Sequence, residues 1–219
     1  MNKAGRIIRS NDNLRKGCFI VLGNPRGGTS VVSGMLRYIG VFMGERLDQG
    51  NQEDLEIRDV GSEILESREK KFGFLRRRRS IRKFREIQAQ RSSMHDVWGF
   101  KDPICIEYLD DIIDHVDGPR FVIVYRDPVA TAIHEESVGI DYSSALSNAV
   151  SRITMMSEVE VQSTAPTVVL SYEKLVRHPA DAIRLLSNFC FGFCTNDLLS
   201  FAQRYVAAEK NDANWEELI

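Results

Sequence analysis

The segment Gly23-Asn24-Pro25-Arg26-Gly27-Gly28-Thr29-Ser30 constrains this chain more than any other. It follows the apolar run Cys18-Phe19-Ile20-Val21-Leu22 and precedes Val31, Val32, Met35, Leu36 and Ile39 at helical spacing. Strand, glycine turn and helix together gather free backbone N–H groups and the positive end of a helix at one point, where an anion is held. The frame fits a glycine, four residues, then glycine, lysine and serine or threonine, the loop that grips nucleoside triphosphates. Here Thr29 stands where the lysine belongs, and the positive charge sits earlier, at Arg26. The loop can hold a phosphate but lacks the side chain that reaches the β- and γ-phosphates of a triphosphate.

The rest of the chain alternates between strand and helix signals. Strands are expected near 18–22, 97–100, 121–125 and 167–170, the third apolar throughout as a strand covered on both faces should be and the last also read as buried. Helices are expected near 29–39, 54–66, 143–160, 179–190 and 196–208, with another opened by Asp127-Pro128 as N-cap and first-turn proline. Residues 1–16 are polar and basic and read as a flexible N-terminal segment; 17–219 read as one domain. Strands separated by helices argue for an α/β fold with a central parallel sheet.

Residues 68–91 form a basic segment, with eleven Lys/Arg against two Glu. That is about +9 by count and leaves the remainder of a chain of net charge −2 near −11. Phe74, Ile81, Phe84 and Ile87 fall on one face, so the segment reads as an amphipathic basic helical insertion, broken near Gly73. The balanced total excludes a polycation, and nucleic acid is the least favoured partner because stacking positions are missing. The four cysteines show no zinc or redox spacing, and no metal site is expected. No run of eighteen apolar residues occurs, so no transmembrane segment is expected and a cytoplasmic protein is.

Ligands of open parallel sheets bind at the carboxyl ends of the strands. The loops there read Asn24–Ser30, Lys101-Asp102-Pro103, Arg126-Asp127-Pro128 and Ser171-Tyr172-Glu173-Lys174. Most of them carry a cation, as an anionic ligand lying across the sheet edge requires.

Taken in order, these motifs resemble the sulfotransferases that use 3′-phosphoadenosine 5′-phosphosulfate (PAPS). Pro25-Arg26-Gly27-Gly28-Thr29-Ser30 resembles the family's 5′-phosphosulfate loop. Asn51-Gln52-Glu53-Asp54, Trp98-Gly99-Phe100-Lys101-Asp102-Pro103, Val122-Ile123-Val124-Tyr125-Arg126-Asp127-Pro128 and Leu170-Ser171-Tyr172-Glu173-Lys174-Leu175 are similar to later family segments. The resemblance implies a three-layer α/β sandwich of the P-loop-kinase-like sulfotransferase fold. It also implies transfer of a sulfuryl group from PAPS to a hydroxyl or amine of a small-molecule, carbohydrate or lipid acceptor, anionic acceptors included, releasing 3′,5′-adenosine bisphosphate (PAP). Arg26, Gly27, Gly28, Thr29 and Ser30 would hold the 5′ end, Arg126 and His134 the 3′-phosphate, and Tyr172 the adenine. Arg26 and Lys101 would stabilise the leaving oxygen. Glu53 is the first candidate for the base and Asp102 the second, ahead of His95 and His134. His134 stands where the family usually has serine, and no basic glycine-containing loop occurs in 191–219, where Arg204 is the nearest cation. The chain thus resembles the shorter bacterial or carbohydrate-type branch, and a homodimer is one assembly it allows. A P-loop kinase or nucleoside triphosphatase, and a nucleotide- or partner-binding protein without turnover, are the alternatives.

Overall fold

The run at 17–23 is apolar enough to be covered on both sides, and in the computed structural model, which describes residues 2–10, 16–70 and 73–210, every residue of this strand is buried. Five strands form one sheet: β1 (Gly5–Arg9), β2 (Gly17–Gly23), β3 (Val97–Lys101), β4 (Pro119–Tyr125) and β5 (Thr167–Ser171), in the order β1-β5-β4-β2-β3. β2 pairs in parallel with β3 on one side and β4 on the other, and β4 pairs in parallel with β5. Parallel neighbours need crossover connections, which the helices supply.

Side chains alternate across a strand, and β2 shows where the two faces go. Phe19 and Val21 enter a core with Val31 and Leu36 of α1 (Thr29–Tyr38), Ile183 and Phe189 of α8 (Pro179–Phe191), and Phe201 of α9 (Asn196–Lys210). Cys18, Ile20 and Leu22 enter a second core with Ile57 and Val60 of α2 (Leu55–Arg68), Phe84 of α3 (Gly73–Met94), Tyr108 of α4 (Cys105–Ile112) and Met156 of α6 (Tyr142–Gln162). Helix, sheet and helix make three layers, as expected. Completing the chain are α5 (Pro128–Glu136), capped by Asp127 as the sequence implies, and the short α7 (Tyr172–Arg177).

The N-terminal segment contains β1, which pairs antiparallel with β5 at the edge of the otherwise parallel sheet. A Cβ on Gly5 would come within 2.1 Å of the Val169 carbonyl oxygen, so the close pairing depends on glycine. Residues 11–15 lie outside the described residues. In the basic helix, Phe84 is buried and Ile81 and Ile87 pack partly against the core, but Phe74 is 61% exposed. The buried positions of α3 are instead Gly73, Ser80, Phe84, Gln88 and Arg91, a narrow stripe on the α2 side.

Candidate functional site

The loop after β2 turns through a bond from the Gly27 amide to the Asn24 carbonyl at 2.8 Å. Gly28 sits at φ 86°, in the left-handed region, and is the N-cap of α1 without any side-chain cap. No acidic residue occupies the first turn of α1. The helix therefore begins with N–H groups that no side chain of its own caps, over a glycine turn suited to anion binding. Thr29 is buried, its methyl group lying where a Cβ on Gly23 would collide at 2.4 Å. The residue in the lysine position thus packs the loop down onto the strand.

On the β4–β5 side, Tyr172 lies against the loop: a Cβ on Gly28 would be 2.0 Å from its ring. The Arg126 guanidinium stands 4.7 Å over that ring, and its Nη1 donates to the Arg26 carbonyl. Arg126, expected at a separate 3′-phosphate site, is therefore tied to the glycine loop, and Tyr172 forms the layer between loop and guanidinium. His134, exposed on α5, has its pKa lowered by partial burial and by the charges of Arg26 and Arg126. Three basic side chains from three elements thus share one field. With no anion present the imidazole is biased toward neutrality; a nearby dianion would work the other way.

On the β3 side, Lys101 is 2% exposed. Its Nζ donates to the Asn51 carbonyl at 2.7 Å and lies 3.5 Å from Glu53 Oε1. Ser30 Oγ donates to the same Asn51 carbonyl at 2.7 Å. Burial lowers the Lys101 pKa, opposed by the nearby carboxylates of Glu53 and Asp102. Glu53 is partly exposed and also faces Arg58 at 3.5 Å. Gln52 holds this segment in a left-handed turn, φ 57°, and its Nε2 donates to the Tyr205 hydroxyl at 3.2 Å. Among the described residues, Arg26 and Gln52 are the non-glycine positions with positive φ, and both border the head of α1. Backbone strain of this kind clusters at ligand sites.

The structure also separates candidates that the sequence placed together. Asp102 is 1% exposed; its Oδ2 accepts from the Tyr108 hydroxyl at 2.7 Å and its Oδ1 from the Ile104 amide at 3.2 Å. Both oxygens are committed to internal donors, which suits Asp102 to fixing the end of β3. His95 stacks on Phe42 with ring centroids 3.8 Å apart and precedes β3, at the edge of the sheet opposite Lys101. The sequence reading missed Arg58 and Arg91. Arg58 reaches Glu53 and, at 3.8 Å, Asp48 from the first turn of α2. Arg91 is buried; its Nη2 donates to Asp54 Oδ1 at 3.1 Å and to Glu56 Oε2 at 2.8 Å, anchoring the N-cap of α2. Arg58 had a local signal, five residues from Glu53; Arg91 had none.

Burial, chiefly, raises the Asp102 pKa from the ordinary 3.8 to about 6. Between those values the folded chain keeps a proton that the unfolded chain has released. Its contribution to stability therefore falls as pH rises through that window, by at most about 1.4 kcal/mol per pH unit. Asp102→Asn should remove this slope. Urea unfolding at pH values spanning the window, compared between the two proteins, checks it; parallel pH profiles would mean that Asp102 titrates normally.

Chemically, the site offers backbone donors at the head of α1, cations on both flanks and one accessible carboxylate beside a buried ammonium. Among the described residues no group of three or more His, Cys, Asp or Glu is placed to hold a metal ion. No protein-family model matches the chain, and no curated protein matches it in sequence. Solved structures do. The sulfotransferase domain of the Synechococcus PCC 7002 olefin synthase matches with a TM-score of 0.60 at 16% identity, over 89% of this chain and 80% of that one. The sulfotransferase domain from the curacin biosynthetic pathway matches with a TM-score of 0.57 at 13% identity, over 84% of this chain and 76% of that one. A likeness reaching across most of this chain at such low identity is a likeness of architecture, and the chain has the sulfotransferase fold.

Proposed function

We propose that this protein is a sulfotransferase that takes its sulfuryl group from PAPS and passes it to a hydroxyl or amine of a small-molecule, carbohydrate or lipid acceptor. The observation that carries the reading is the uncapped head of α1, flanked by Arg26, Arg126 and His134 on one side and by the Lys101–Glu53 pair on the other. The residues present fit such a donor. Gly28 leaves the turn open where a side chain would fill it, and guanidinium groups suit phosphate by their forked donors.

When bound, PAPS supplies an activated sulfuryl group joined to a good leaving oxygen. The chain's own residues supply the rest. Gly27, Gly28, Thr29 and Ser30 present the loop and helix end, and Arg26 adds charge. Arg126 and His134 take a further phosphate, and Tyr172 fixes the Arg126 guanidinium. Lys101, with Arg26, balances the negative charge gathering on the oxygen that leaves. Glu53 takes the acceptor's proton as the new bond to sulfur forms, and Lys101 and Arg58 hold its carboxylate in place. Asp102 acts through Lys101 as a positioning residue. The reading assigns the chain to the bacterial or carbohydrate-type branch and to the cytoplasm. No described helix is long and apolar enough to cross a membrane.

Calorimetric titration with PAP, AMP and ATP-magnesium tests the donor assignment. PAP should bind far more tightly than AMP. A preference for ATP-magnesium would favour a kinase or nucleoside triphosphatase, and binding of none would favour a protein without turnover. Glu53→Gln should reduce transfer by roughly 10²- to 10⁴-fold with PAP affinity little changed; undiminished turnover would remove Glu53 from the role of base.

A further inference from the structure

We propose that the exposed face of α3 docks this protein onto a membrane surface rich in anionic phospholipid. The helix has its buried stripe against α2 and the sheet, which leaves the opposite face to solvent. That face carries Arg78, Arg79, Arg82, Lys83 and Arg85, all exposed, and Glu86 is the acidic residue in α3; Arg77, seven residues before the buried Phe84, lies on the packed side. Arg77 is engaged by Asp111, and Arg82 lies 4.0 Å from Glu86. Arg78, Arg79, Lys83 and Arg85 make no ion pair among the described residues. A groove of about 580 Å³ runs along this face, lined by Arg76, Arg79, Arg82 and Lys83 with Glu63 and Glu86.

The apolar residues at the start of the helix decide between anionic partners. Phe74 and Leu75 are 61% and 71% exposed, immediately before the arginines. An apolar tip beside a cationic face is the pattern of a helix lying in a membrane interface, its apolar groups below the headgroups and its cations among them. A nucleic acid would need aromatic faces for stacking, whereas half of this apolar tip is the aliphatic Leu75, which suits acyl chains and offers no face to a base. The charge distribution sets the orientation. The segment near +9 is attracted to an anionic surface, and the remainder, near −11, is repelled, so the molecule approaches α3 first.

The test is co-sedimentation of the whole protein with vesicles of phosphatidylcholine alone and of phosphatidylcholine mixed with phosphatidylglycerol. Binding is expected to the mixed vesicles only, weakening as salt rises. The combined change Arg78→Gln, Arg79→Gln, Arg82→Gln and Lys83→Gln should lower that binding by roughly 100-fold or more, since each cation near such a surface contributes about fivefold. All four side chains are exposed, and circular dichroism checks that the variant stays folded. Phe74→Trp gives a second readout, its fluorescence shifting to the blue with mixed vesicles. Equal binding to both vesicles, an unaffected quadruple variant, or no fluorescence shift would overturn the proposal. Tight binding to heparin without binding to vesicles would also overturn it, in favour of an acidic polymer.

Discussion

Replacing Arg126 by alanine should weaken PAP binding by roughly 10²-fold or more while weakening AMP by only about fivefold. The asymmetry follows from two jobs held by one side chain. Its hydrogen bond to the Arg26 carbonyl steadies the loop for any ligand seated there. Exposed to solvent, a bond of that kind is worth about 1 kcal/mol, or about fivefold. A forked pair of bonds to a phosphate adds about 1.5–3 kcal/mol, and only a ligand with the second phosphate collects it. Arg126→Lys keeps the charge but loses the fork and the packing over Tyr172, and should fall between alanine and the parent. Parallel titrations of PAP and AMP decide the matter. Equal weakening of the two would reduce Arg126 to a strut for the loop and remove it from the 3′-phosphate site.

The second large effect is expected at Gly28. Alanine there meets two obstacles. The φ of 86° disfavours any side chain by about 1–2 kcal/mol. The new methyl would also sit 2.0 Å from the Tyr172 ring, and forcing atoms into a packed site typically costs about 1–3 kcal/mol more. Gly28→Ala should thus destabilise the fold by about 2–5 kcal/mol and abolish PAP binding, because any shift that relieves the contact moves the first turn of α1. Adding Tyr172→Ala removes the collision but not the backbone term. The double variant should therefore lose about 1–3 kcal/mol less than the sum of the two single changes. Urea unfolding of the four proteins in the cycle measures this. Simple additivity would show that the ring does not press on the glycine.

The sequence made some parts of this molecule easy to read and hid others. β2, β4 and β5 are short apolar runs because both of their faces are covered, and that pattern needs no partner to be recognised. β1 has no such run. As an edge strand it is covered less, and its Ile7-Ile8 pair between arginines does not separate it from a loop. The glycine loop was legible because a left-handed turn at the head of a helix demands particular residues. Arg126 and Lys101 were legible as charges at strand ends, and Glu53 through the family resemblance of the segment 51–54. What they touch was not. Lys101 and Ser30 both donate to a backbone carbonyl, at Asn51, and any residue there offers the same oxygen. Arg91 meets Asp54 across 37 positions of sequence, and no local pattern announces such a pair. Phe74 counted as apolar in the helical repeat, yet it sits at the first turn of α3, past the end of the sheet-side packing, and stays exposed.

The placement of Lys101 and Arg126 has a consequence for how far apart the two flanks of the site stand. Lys101 ends β3 and Arg126 follows β4, and these strands border β2 on either side. Neighbouring strands are spaced about 4.8 Å apart, so β3 and β4 run about 10 Å from each other across β2, and because Lys101 is level with Val122, Arg126 stands a further four residues, about 13 Å, along the strand direction. This width is a property of the hydrogen-bond ladder, with Gly23 opposite Val124 and Val21 opposite Lys101. The sheet works as a ruler. Substitutions within either core change how firmly the ruler is clamped, while its graduations, and with them the length of ligand it measures, are cut into the backbone.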